Sequence, residues 1–131
     1  MREALKEALK AEKKDEVPIG AVVVHKGAVI GRGHNKKESA RDPSSHAEMI
    51  AIRAAAKKLM AWRLSDTVLY VTLEPCLMCM GAIIQARIPR LVFATYDPKA
   101  GACGSLYDIS RDARLNHRVS VTTGPCEAEA S

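Results

Sequence analysis

The stretch Thr67-Val68-Leu69-Tyr70-Val71-Thr72-Leu73-Glu74-Pro75-Cys76-Leu77-Met78-Cys79 decides the reading of the chain. Thr67 to Leu73 is a short apolar, β-branched run of the kind that forms a buried strand. Pro75 stops it, and Cys76 to Ala86 is a mostly apolar run predicted to be a short helix. The same alternation continues outward. Downstream, Leu91 to Thr95 reads as a strand, Asp97 to Gly104 as a loop, Ser105 to Ile109 as one helical turn, and Arg118 to Thr122 as a last strand. Upstream, a helix is predicted over His46 to Met60, with Ser45 as its cap and Glu48 placed as in a capping box. The Gly-, Asn- and Ser-rich segment before it, Gly31 to Ser45, reads as a loop. Ile19 to His25 and Ala28 to Gly33 are β-branched runs separated by Lys26-Gly27, which predicts a hairpin. Leu5, Ala8 and Leu9 recur at helical spacing within Met1 to Lys14, and Pro18 ends that element. Strands alternating with helices predict an α/β fold. The first two strands should pair antiparallel, and helical crossovers should make later ones parallel.

Length and composition bound the rest. A chain of 131 residues fits one domain, expected to span 1–131, and can bury its own core without a disulfide or a structural metal. It is 47% hydrophobic and 27% charged, with a formal net charge of +5. That balance favours polyanionic partners, because neutralised phosphates release counterions. No run approaches the length of a membrane span, and Met1 to Lys14 lacks the apolar stretch of a secretory signal. A cytoplasmic home is expected, and there the four cysteines would not pair as disulfides.

Two short motifs carry the chemistry. His46-Ala47-Glu48 stands at one predicted helix start, and Pro75-Cys76-Leu77-Met78-Cys79 opens another. Two residues between the cysteines let both sulfurs of one helical turn reach the same ion. An imidazole and two thiolates make a normal zinc set, and three protein ligands leave the fourth position for water. Helix starts favour thiolate over thiol. Glu48, two residues from His46, would stand beside the metal without being tied to it and would carry protons. A redox dithiol lacks its usual thioredoxin-like context here. A closed structural site would need one more ligand, and Cys103, Cys126, His34 and His117 have no paired spacing to supply it. His25 and His34 flank the hairpin and are read as structural.

At these residues the chain resembles the cytidine deaminase-like superfamily and, within it, the bacterial tRNA-specific adenosine deaminases. Other segments carry the likeness: Val17 to Ala21, Gly33-His34-Asn35, Asp42 to Met49, Leu69 to Ala82, Asp97-Pro98-Lys99, Gly104-Ser105-Leu106 and Asn116 to Val119. The resemblance implies a three-layer α/β/α fold with a five-stranded mixed sheet. It implies one zinc per subunit, held by His46, Cys76 and Cys79, with Glu48 catalytic. It further implies deamination of adenosine to inosine at the wobble position of an arginine tRNA anticodon, by a homodimer. In that family Asn35 would hydrogen-bond the flipped base, the Ala47 N–H would contact the oxygen delivered to the ring, and Asp97 would lie along the nucleotide 5′ to the target. Met80, Ile83, Ile84 and Ile88 could serve a dimer contact or simply the core. Lys36, Lys37, Arg41, Lys99 and Arg111 are candidates for phosphate contact. Family members carry a long basic C-terminal helix, and the residues after Gly124 are too few for it, so that helix is expected to be missing. Two other readings stand: a small-molecule deaminase acting on guanine, cytosine or a nucleoside, and a silent zinc or RNA-binding module. An intact Glu48 argues against the last.

Overall fold

The computed structural model describes residues 1–124. Its elements run α1 (Arg2–Glu12), β1 (Gly20–His25), β2 (Ala28–His34), α2 (Ala47–Leu59), β3 (Thr67–Leu73), α3 (Leu77–Gln85), β4 (Arg90–Thr95) and β5 (Ser120–Thr123). One five-stranded sheet forms in the order β2-β1-β3-β4-β5. β1 pairs antiparallel with both β2 and β3, while β3–β4 and β4–β5 are parallel. The mixed sheet is therefore the expected one. Lys26 and Gly27 both take positive φ, which closes the β1–β2 hairpin.

Glycines set how closely the helices approach. A Cβ on Gly20 would run into the Ala4 carbonyl and the Ala8 N–H of α1. A Cβ on Gly31 or Gly33 would run into the backbone of α2 at Ala51 or Ala47. Gly20 pairs with His34, and Gly33 with Ala21, so these two cross-strand pairs point to opposite faces. α1 thus covers one face and α2 the other, giving three layers. The core between sheet and α2–α3 includes Leu69, Val71, Met80, Ile83, Leu91 and Phe93, all fully buried. Gly33→Ala should lower stability by about 3 kcal/mol, because it thrusts a methyl against helix backbone that cannot step aside. The urea midpoint measures it, and an unchanged midpoint would contradict this packing.

Two expectations need correction. Ser45 does not cap α2: His46 occupies the N-cap position, and no side chain makes a cap hydrogen bond there. Backbone ties explain the shift, since Ser45 donates its N–H to Asp42 and accepts one from Lys36. Ser105 to Ile109 forms no helical turn. Cys103 and Asp108 make an isolated β-bridge, and Asp108 accepts hydrogen bonds from the Ser110 N–H and hydroxyl. Such local side-chain bonds compete with helix formation. Of the two readings left open for Met80, Ile83, Ile84 and Ile88, the core is the one observed, since all four are buried within the chain. The expectation of a missing C-terminal helix, and Cys126, lie outside the described residues. No helix among those described is long and apolar enough to cross a membrane.

Candidate active site

Two helix starts converge on one point. His46 and Cys76 are the N-cap residues of α2 and α3, both with extended backbone, and Cys79 lies one turn further into α3. His46 Nδ1 stands 3.5 Å from Cys79 Sγ and 3.7 Å from Cys76 Sγ. The three donor atoms all lie within 4.8 Å of one another. Ordinary zinc–sulfur and zinc–nitrogen bonds at a tetrahedral angle separate S from N by about 3.6 Å. The donor set therefore fits such an ion, and this is the group among the described residues that could hold a metal. Charge at the pair is shared unequally. A hydrogen bond from the Cys79 thiol brings the Cys76 thiol down to about 5, against the opposing effect of burial. The same hydrogen bond, with burial, pushes Cys79 far up.

Glu48 sits in the first turn of α2 and is 4% exposed. Burial pushes its carboxyl up to about 7, the negative charge of Cys76 adds to this, and its own N–H and the Cys79 thiol oppose it. With His46 and Cys76 it lines a cavity of about 90 Å³, whose other walls include Ile19, Glu74, Asp97 and Ala100. Larger clefts lie elsewhere, such as one of about 480 Å³ beside Trp62, but that cleft brings no cluster of ligating side chains together. A metal-ligand set beside a buried, protonatable carboxyl can activate water and move its protons.

The remaining expected site residues are placed unevenly. Ala47 is the first residue of α2, so no carbonyl within the helix takes its N–H. Asn35 follows β2, donates its backbone N–H to the Ile19 carbonyl, and is 4% exposed. Its Oδ1 is buried without a hydrogen-bond partner among the described residues. Asp97 forms part of the cavity wall, and its carboxylate accepts the Lys99 N–H. Lys36 is half-buried, whereas Lys37, Arg41 and Lys99 are exposed, and Arg111 pairs with Asp108 at 3.5 Å.

Residues 1–126 match the model of the MafB19-like deaminase family. A tRNA-specific adenosine deaminase of Bacillus subtilis is 49% identical over 129 residues, covering 98% of this chain and 80% of that one. The chain belongs to the tRNA-specific adenosine deaminases. A solved structure from a study of A-to-I editing by tRNA:A34 deaminases at the wobble position of transfer RNA agrees with it throughout. The TM-score is 0.95 at 45% identity, with 99% of this chain and 94% of that one covered. A guanine deaminase from Nitrosomonas europaea shares the fold at greater distance, with TM-score 0.80 and 27% identity over 97% of this chain and 76% of that one.

For this deaminase, sequence reasoning missed three buried acids: Glu7, Glu74, and Glu16, whose carboxylate accepts the N–H groups of Glu38 and Ser39. Glu7 of α1 receives His34 Nδ1 at 3.2 Å and Lys10 Nζ at 2.7 Å, and Arg32 lies 3.7 Å away. His34 is structural, as expected, and this contact ties α1 to β2. Glu74 follows β3 directly and is 3% exposed. Burial pushes its carboxyl up, yet hydrogen bonds from the Ser105 hydroxyl and from the N–H groups of Asp97, Cys103 and Ser105 outweigh it and hold the group below the usual range.

Proposed function

We propose that this deaminase hydrolyses the exocyclic amine of adenosine in RNA, giving inosine and ammonia, at the wobble position of an arginine tRNA anticodon. The observation that carries the reading is Glu48, a buried carboxyl that lines one cavity with His46 and Cys76 and is hydrogen-bonded by the Cys79 thiol. Zinc held by those three residues would supply the Lewis acidity that makes water nucleophilic near neutral pH. His46 would ligate through Nδ1, the nitrogen that faces both sulfurs. Glu48 takes the proton of the attacking water, passes it to a ring nitrogen, and then serves the departing amine. The Ala47 N–H donates to the oxygen entering the ring. The Asn35 amide, whose buried Oδ1 lacks a partner, hydrogen-bonds the base and fixes its orientation. Asp97 lies along the nucleotide 5′ to the target. The resemblance also implies a homodimer acting in the cytoplasm.

A base inside a duplex cannot present its amine-bearing carbon to this cavity. Leaving the stack costs a few kcal/mol (roughly), which a flexible loop reduces. Loop adenosine should therefore react and duplexed adenosine should not. Activity should weaken as salt rises, in keeping with the net charge of +5. Kinetics on arginine tRNA, its anticodon stem-loop, a duplex, and free adenosine and guanine at two salt concentrations test this. Efficient turnover of a free base or nucleoside with none on RNA would move the reading to a small-molecule deaminase. Zinc and RNA binding without ammonia release would leave a silent module.

A further inference from the structure

Glu74 is a buried acid outside the donor cluster, and every partner of its carboxylate belongs to the loop after β4. Oε1 accepts the Asp97 N–H at 3.0 Å and the Ser105 hydroxyl, while Oε2 accepts the N–H groups of Cys103 at 2.8 Å and Ser105 at 3.1 Å. A Cβ on Gly101 would strike the carboxylate itself, so the loop backbone is drawn directly over it. The loop closes on this anchor through Gly101 N–H to Asp97 O and Ala102 N–H to Pro75 O, both 2.8 Å. The acid's own N–H is bonded to Thr95 O at 2.9 Å, the strand end from which the loop departs. Three N–H groups and a hydroxyl compensate the buried charge and convert it into a fixed loop shape. Asp97 and Ala100 are the residues of this loop that line the cavity, and of the two it is Asp97 whose N–H the carboxylate holds.

We infer that Glu74 is a positioning residue for RNA: its carboxylate, taken up by the loop's own donors, sets Asp97 against the nucleotide preceding the target. The inference rests on the reading of Asp97 given above. Glu74→Gln tests it selectively. An amide oriented to donate to the Ser105 hydroxyl keeps an oxygen toward Cys103 and Ser105, and leaves the Asp97 N–H alone facing an NH2 group.

The experiment is a double-mutant cycle of Glu74→Gln and Asp97→Ala on an anticodon stem-loop, with metal content measured for every variant. Each single change should lower kcat/KM about tenfold, mainly through KM, with the metal retained. The double variant should be no worse than Asp97→Ala alone, because both changes remove one interaction. Ser105→Ala, which deletes only the hydroxyl contact, should give a smaller loss, about threefold, that also vanishes in the Asp97→Ala background. It carries the test if Glu74→Gln does not fold. Multiplying losses, metal loss, or wild-type kinetics in Glu74→Gln would overturn the inference. A wild-type Asp97→Ala would instead overturn the role of Asp97 and this inference with it. A chain that turns over nucleosides but no RNA would fail at the substrate class.

Discussion

Glu48→Gln should keep its fold and its metal and lose deamination by about 10²–10⁴-fold. The carboxyl is 4% exposed, and burial, with the negative charge of Cys76 added, pushes it up to about 7. An amide of the same shape fits that space and removes the cost of burying a charge, so the folded state should not suffer. What the amide cannot do is accept the water proton and give it back. Metal analysis beside an ammonia-release assay separates these effects. Loss of metal from the variant would make Glu48 a ligand, and activity near wild type would remove it from the reaction.

Cys76→Ala and Cys79→Ala should each abolish both metal binding and activity, whereas Cys103→Ala should retain the metal. His46 and the two thiols form a donor set within 4.8 Å, and deleting one sulfur leaves too few protein ligands for tight binding. Cys103 is committed elsewhere. Its thiol donates to Met80 Sδ at 3.0 Å, its N–H is held by Glu74, and burial pushes the thiol far up, away from the thiolate that a metal requires. Stoichiometric metal loss from Cys103→Ala would indicate a closed four-ligand site and would end the catalytic reading.

What was legible in the sequence was what is local. Cys76 and Cys79 are spaced by one helical turn, His46 and Glu48 by two residues, and each pair sits at a helix start. β-Branched runs and the Lys26-Gly27 turn likewise carried the sheet, because strand propensity and turn chemistry are short-range signals. Long-range partners were invisible. Glu74 finds its donors 23–31 residues further on, and nothing in Leu73-Glu74-Pro75 announces them. The same bonds explain why Ser105 is no helix start, since its hydroxyl and N–H are both spent on that carboxylate. Ser45 fits a capping pattern that His46 does not, yet tertiary contact puts the histidine at the N-cap position, facing two sulfurs. The apolar side chains at 80, 83, 84 and 88 could not be divided between core and partner by periodicity, and packing alone assigned them inward.

The most direct test uses a transcribed arginine tRNA with adenosine at position 34, the site named for the tRNA:A34 deaminases of the matching fold. The chain, loaded with zinc, is incubated with it in water enriched in oxygen-18, and the digested RNA is mapped by mass spectrometry. Hydrolysis by activated water should yield inosine confined to that position, carrying the heavy oxygen, with ammonia released in equal amount. Inosine lacking the label, inosine spread over other adenosines, or unaltered RNA beside rapid turnover of a free base would each contradict hydrolytic deamination of the wobble adenosine.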